Sequence, residues 1–146
     1  MDIKIIPDVI SSQEAQTIAL DLIAAHPKIA TENLHLTLDD SFRYLDYIPS
    51  LYVPGLKQLI GRYAVTMCGA GWYPGEEWHT DGTEDELTFL MYISGDNTQG
   101  GDFYTKTSTN KFELNSLFVL NSSILHCVTP YDSKIPRIAF KWRYKI

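Results

Sequence analysis

From about residue 63 onward the chain is a succession of short runs rich in Val, Ile, Phe and Tyr, cut by Gly, Asn, Asp and Pro. Runs this short, with turn residues between them, read as strands of a sandwich or barrel. Candidate strands cover about 63–69, 76–80, 87–93, 101–105, 111–114, 117–121, 123–128 and 136–145. Two of them have faces that can be assigned. Leu87, Phe89, Met91 and Ile93 share one side of their run, as do Ile138, Phe140, Trp142 and Tyr144 of the last, because side chains alternate along a strand. Tyr92 and Arg137 then fall on the opposite faces.

The first part of the chain differs. Residues 2–6 suit a short strand, which Pro7 ends. Residues 11–25 carry Ala15, Ile18, Ala19, Leu22 and Ile23 at helical spacing, behind a Ser11/Glu14 capping box. His26-Pro27 closes that helix. Residues 54–62 (PGLKQLIGR) predict a second, short helix with proline in its first turn, and residues 31–48 read as strand, loop and strand. The expected architecture is α+β, mainly β: a jelly-roll (double-stranded β-helix) core over 63–146, with a helical support region over 1–62. One apolar face of the strands is covered by the N-terminal helix; the other lines a cavity.

Composition narrows the class. With 146 residues, 45% hydrophobic and 21% charged, the chain is sized for one domain with a real core. No apolar run approaches the roughly 20 residues that span a bilayer, and the start lacks a signal-peptide pattern, so a cytoplasmic protein without membrane contact is expected. Cys68 and Cys127 are too few for a disulfide framework and read as free thiols. The net charge is −6, and residues 76–86 hold six acidic side chains and no Lys or Arg. That is the reverse of a nucleic-acid footprint, so DNA and RNA are not expected partners.

The acidic segment also holds the most chemically suggestive residues. His79 and Asp81 are two apart, a spacing that on a strand puts both side chains on one face and lets them grip one metal ion. His126, in the apolar run Ile124–Val128, is the natural third ligand for a facial triad, which leaves positions open on the metal. Each has a plainer reading alone: H-x-D arises by chance, and His126 would serve as a hydrogen-bonded core histidine. Their order, spacing and surroundings favour the metal.

Those surroundings resemble the Fe(II)/2-oxoglutarate-dependent oxygenases, in particular the prolyl-hydroxylase-like branch, over about residues 71–143. Tyr73-Pro74-Gly75 before His79-Thr80-Asp81 looks like that branch's entry to its H-x-D motif. Thr88–Ser94 looks like the next core strand, Gly100-Gly101-Asp102-Phe103 like its G-G-x-[LF] turn, and His126-Cys127-Val128-Thr129-Pro130 like its H-x-V-x-P. Arg137 stands at close to the family's spacing from the distal histidine.

The resemblance implies that His79, Asp81 and His126 bind Fe(II). It implies that Arg137 anchors 2-oxoglutarate, that Tyr92 adds a hydroxyl contact and that Tyr73 lines the pocket. It implies a dioxygenase that uses O2, with ascorbate a candidate auxiliary, and hydroxylates a peptidyl residue such as proline or a small molecule. Two departures stand out. Ala139 occupies a position where many relatives have Ser or Thr, and Lys141 lies on the arginine's face, where it either sees the co-substrate or, as lysines commonly do, reaches solvent. A non-catalytic, cupin-like module holding a metal or ligand remains the alternative, and an inactive scaffold a third reading.

Overall fold

The computed structural model describes residues 2–68 and 75–146. The chain is mainly β. In order it forms β1 (Ile3–Ile6), α1 (Ser12–Ala25), a 3-10 turn at Pro27–Ala30, β2 (Leu34–Thr37), a second 3-10 turn at Asp40–Leu45 and α2 (Tyr47–Tyr52). There follow β3 (Gln58–Met67), β4 (Glu76–His79), β5 (Glu86–Ser94), β6 (Phe103–Thr105), β7 (Thr109–Asn110), β8 (Leu117–Asn121), β9 (His126–Val128) and β10 (Arg137–Lys145). Among the described residues, no helix is long and apolar enough to cross a membrane.

Two antiparallel sheets face each other. The larger runs β1-β8-β5-β10-β3-β2 and the smaller β4-β9-β6-β7. The alternation read from β5 and β10 decides which face goes where. Phe89, Met91, Ile93, Ile138, Phe140 and Trp142 point outward from the large sheet and are buried against Ala15, Ile18 and Leu22 of α1 and against Phe42, Leu45 and Ile48. Burying each of the larger apolar side chains contributes about 2–3 kcal/mol. α1 is held at its start by the expected capping box, Glu14 N–H to Ser11 Oγ and Ser11 N–H to Glu14 Oε1. The inner faces meet in a second core, where Leu90, Tyr92, Phe118 and Ala139 of the large sheet pack on Phe103 and Val128 of the small one.

Three local expectations fail. Residues 54–62 are not a helix. Gly55 turns the chain with φ +81, and Gln58–Met67 then pairs with β10 on one side and β2 on the other. The hydrogen-bonding edges of those two strands outweigh a weak local helical pattern. Residues 31–48 hold one strand, a 3-10 turn and the start of α2 rather than two strands, because Asp39 caps the Ser41 N–H and opens the 3-10 turn. Residues 111–114 are not a strand either: Asn115 takes a positive φ, Phe112 plugs the inner core with no exposure, and pairing on β6 stops at Asn110. The first 62 residues thus contribute strands β1 and β2 as well as helices, and β3 runs across residue 62.

Candidate metal centre and adjoining cavity

His79 and His126 sit directly opposite each other on adjacent strands, β4 and β9, where side chains on one face come close. Their rings are 4.3 Å apart between centroids. Each ring is fixed by the same device. His79 Nδ1 lies 2.7 Å from the Glu77 carbonyl oxygen, and His126 Nδ1 lies 2.9 Å from that of Ile124. A carbonyl only accepts, so Nδ1 carries the proton and the neutral ring offers its Nε2 lone pair. Phe103 stacks on His126 at 4.7 Å and 16°, which fixes the ring plane.

Asp81 lies just past the end of β4, so strand geometry alone does not aim it. Its N–H and that of Gly82 both donate to the Ser122 carbonyl oxygen, at 2.9 and 3.0 Å. Ser122 is itself fully buried and bonded to Thr88 through the two hydroxyls. Asp81 Oδ1 stands 3.7 Å from Nε2 of His79 and 3.7 Å from Nε2 of His126. The three ligand atoms lie within 4.8 Å of one another, and two imidazoles with one carboxylate is a donor set that suits a divalent transition metal.

Burial pushes the Asp81 carboxyl up, but the Lys141 ammonium and the neighbouring imidazoles outweigh it and hold it below the ordinary carboxylate value. Burial lowers His126, with Asp81 opposing in part. Both shifts favour the metal-binding forms, ionised carboxylate and neutral imidazole.

The triad borders a cavity of about 580 Å³ between the two sheets. Arg137 lines it from the first position of β10 and is 2% exposed. Its guanidinium carbon is 4.9 Å from the centroid of Tyr92 and 5.1 Å from that of Phe112, a stacking geometry that arginine favours. Tyr92 Oη and Arg137 Nε are buried without a hydrogen-bond partner among the described residues. Burial raises the Tyr92 hydroxyl, and the nearby Arg137 guanidinium opposes that. Unmet buried donors are costly, and two together mark a place where an anionic, hydrogen-bonding group fits.

The structure therefore brings together His79, Asp81, His126, Arg137 and Tyr92; Tyr73 lies outside the described residues. Two cavity residues, His35 and Tyr63, had no role in the sequence, and Lys141 had two alternative ones. His35 and Tyr63 stack at 4.8 Å on one wall. Lys141 does not reach solvent: it is 9% exposed, and its Nζ is 3.2 Å from Asp81 Oδ1. The alternation of β10 already placed Lys141 on the arginine's face; what sequence lacked was the position of Asp81 across the cavity. Glu76 also approaches, with Oε2 3.4 Å from His79 Nε2. Cys68 and Cys127 are both free, the first buried and the second half-buried.

No family model and no curated protein matches the sequence. Solved structures do match. A Pseudomonas putida prolyl-4-hydroxylase superposes with a TM-score of 0.72 at 13% identity, covering 99% of this chain and 92% of that one. HygX from Streptomyces hygroscopicus, solved with iron bound, gives 0.71 at 12% identity over 99% and 82%. SnoN, a non-heme alpha-ketoglutarate-dependent epimerase from nogalamycin biosynthesis, gives 0.75 at 10% identity over 99% and 78%. The chain shares the fold of these three proteins.

Proposed function

We propose that the two sheets form a double-stranded β-helix, that residues 1–146 make one oxygenase domain, and that the chain is an Fe(II)- and 2-oxoglutarate-dependent dioxygenase. The observation that carries this reading is the pairing of two features at one cavity. A two-histidine, one-carboxylate cluster borders it, and so does the buried Arg137, whose guanidinium packs on the Tyr92 ring behind it. A simple metal-storage or structural site has no use for the second. The fold shared with a prolyl-4-hydroxylase and with HygX, which has been solved with nickel and 2-oxoglutarate bound, supports it.

The residues fit such a group chemically. His79, Asp81 and His126 would hold Fe(II), leaving positions open for other ligands. Arg137 would take the distal carboxylate of 2-oxoglutarate, since its planar fork suits a bidentate contact, and Tyr92 would donate its hydroxyl proton to the same carboxylate. Bound iron and 2-oxoglutarate together supply the power to activate O2 for oxidation of a C–H bond. The protein's part is to orient and shield. Leu90, Val128 and Phe103 line the inner cavity with apolar surface, which strengthens the charge contacts made there. The product is a hydroxylated peptidyl residue, such as proline, or a hydroxylated small molecule.

The test is anaerobic titration of metal-free protein with Fe(II) and then 2-oxoglutarate, followed by the visible charge-transfer band of the chelate. The band is expected in wild type, absent in Asp81→Ala, and shifted to far higher 2-oxoglutarate concentration in Arg137→Gln. Tight zinc binding with no band would instead leave a metal-holding binding module.

A further inference from the structure

We propose that Lys141 is a positioning residue that makes Asp81 present one carboxylate oxygen, Oδ1, to the metal, and so keeps a coordination position open for the co-substrate. This rests on the metal-centre reading above. Three contacts meet on that one atom. Oδ1 is 3.7 Å from Nε2 of each histidine and 3.2 Å from Nζ of Lys141.

An aspartate carboxylate turns easily about its last bond, where the torsion is broad and two-fold. An unrestrained one can grip a cation with both oxygens, and a second oxygen on the metal fills a position that a chelating oxo acid needs. Lys141 opposes that turn with a charge-assisted hydrogen bond to Oδ1. The main chain cannot make up the difference, because Ser122 fixes the backbone of Asp81 and not the rotation of its carboxylate.

The lysine is built for this task. A lysine stem is normally flexible, but here it is walled in. Across β10, Lys141 is in register with Tyr63 on β3 and Leu90 on β5. Its Nζ lies 6.0 Å from the Tyr63 ring centroid. On the same sheet face, the Glu86 carboxylate is engaged by Arg143, and the lysine pairs with Asp81.

Removing this ammonium has a signature unlike that of removing a ligand. It takes a positive charge away from the neighbourhood of a divalent cation, so metal binding survives. What suffers is the open position.

The experiment uses Co(II) as the metal probe. Wild type, Lys141→Met and Lys141→Arg are titrated with Co(II), read by its visible d–d absorption, and then with 2-oxoglutarate. Lys141→Met is expected to keep Co(II), to change the d–d spectrum, and to need about tenfold or more 2-oxoglutarate. Lys141→Arg is expected to return both readouts toward wild type. Thermal melting confirms the fold, and Lys141→Gln substitutes for the methionine variant if the latter does not fold. A Lys141→Met protein with the wild-type spectrum and wild-type 2-oxoglutarate affinity overturns the proposal, even if its melting temperature drops, because the pair is then merely structural. Loss of Co(II) binding in Lys141→Met overturns it as well. Wild type that binds no Co(II) takes down the metal-centre reading itself, an outcome the variants make distinguishable.

Discussion

The guanidinium of Arg137 lies across the ring of Tyr92, its central carbon 4.9 Å from the ring centroid. Both side chains are essentially without exposure, and each has a polar atom without a hydrogen-bond partner among the described residues. Fold stability alone disfavours that arrangement; a bound carboxylate would repay it.

Tyr92→Phe should therefore act in opposite directions with and without ligand. In protein free of co-substrate it removes a buried, unpaired hydroxyl, so urea unfolding should show stability unchanged or raised. With co-substrate it removes one hydrogen bond to a charged group, roughly 1.5–3 kcal/mol, or about 10- to 100-fold in affinity. Calorimetric titration of the metal-loaded protein with 2-oxoglutarate measures the second effect. Destabilisation of the ligand-free protein by the phenylalanine would contradict the assignment.

Gly101→Ala tests how Arg137 is held. Gly101 has φ +71, and an added Cβ would stand 3.0 Å from Arg137 Cδ and 3.2 Å from its Nε. The substitution therefore adds backbone strain of about 1–2 kcal/mol and pushes the arginine stem. Expected are a lower urea midpoint and a weaker 2-oxoglutarate titration, with Co(II) affinity preserved. Equal weakening of Co(II) and 2-oxoglutarate would place the damage elsewhere.

The metal-free protein should lose stability on acidification. Burial lowers the proton affinity of His126, and burial, with help from Lys141, lowers that of His35. Between those lowered values and the ordinary 6.5, the unfolded chain binds more protons than the folded one. The contribution is thus fully present above about pH 6.5 and lost as the pH falls through the folded values. Urea midpoints measured from pH 7.5 to 5 should decline, and less steeply in His126→Gln. A flat profile in wild type would refute the burial argument.

Asp46 offers a control for stability without chemistry. It accepts from Arg62 Nε at 2.9 Å and from Trp142 Nε1 at 3.0 Å on the helix-covered face of the large sheet. Asp46→Ala strands an indole N–H and leaves a largely buried guanidinium with only the exposed Asp40 carboxylate at 3.5 Å among the described residues, at a cost of about 3 kcal/mol. Chemical denaturation should show that loss, while Co(II) affinity at a temperature where the variant is folded should match wild type.

These residues also show what a sequence reveals and where it stops. α1 was legible because its signal is local: a capping box followed by apolar residues three and four apart. The faces of β5 and β10 were legible because apolar side chains recur at every second position, 87 to 93 and 138 to 144, and all of these reach one core. Residues 54–62 were misread because a proline-led stretch of mixed polarity fits either period, and only pairing with β2 and β10 decides. The positions of His79, Asp81 and His126 stood out through order and spacing. The partner of Asp81 did not, because Lys141 lies 60 residues away and an isolated lysine reads as a surface residue. Register between distant strands, not residue type, determines what Lys141 touches.

His79 and His126 come from two short strands at one edge of the smaller sheet, β4 with four residues and β9 with three. Few backbone hydrogen bonds tie such a pair together. An ion gripped by both imidazoles would serve as a removable clasp, binding the folded pair of strands and not the unfolded chain, and so favouring the folded state by mass action. Metal loading in such a molecule would govern chain integrity as well as chemistry, since a protease would find the stripped form open at that edge first.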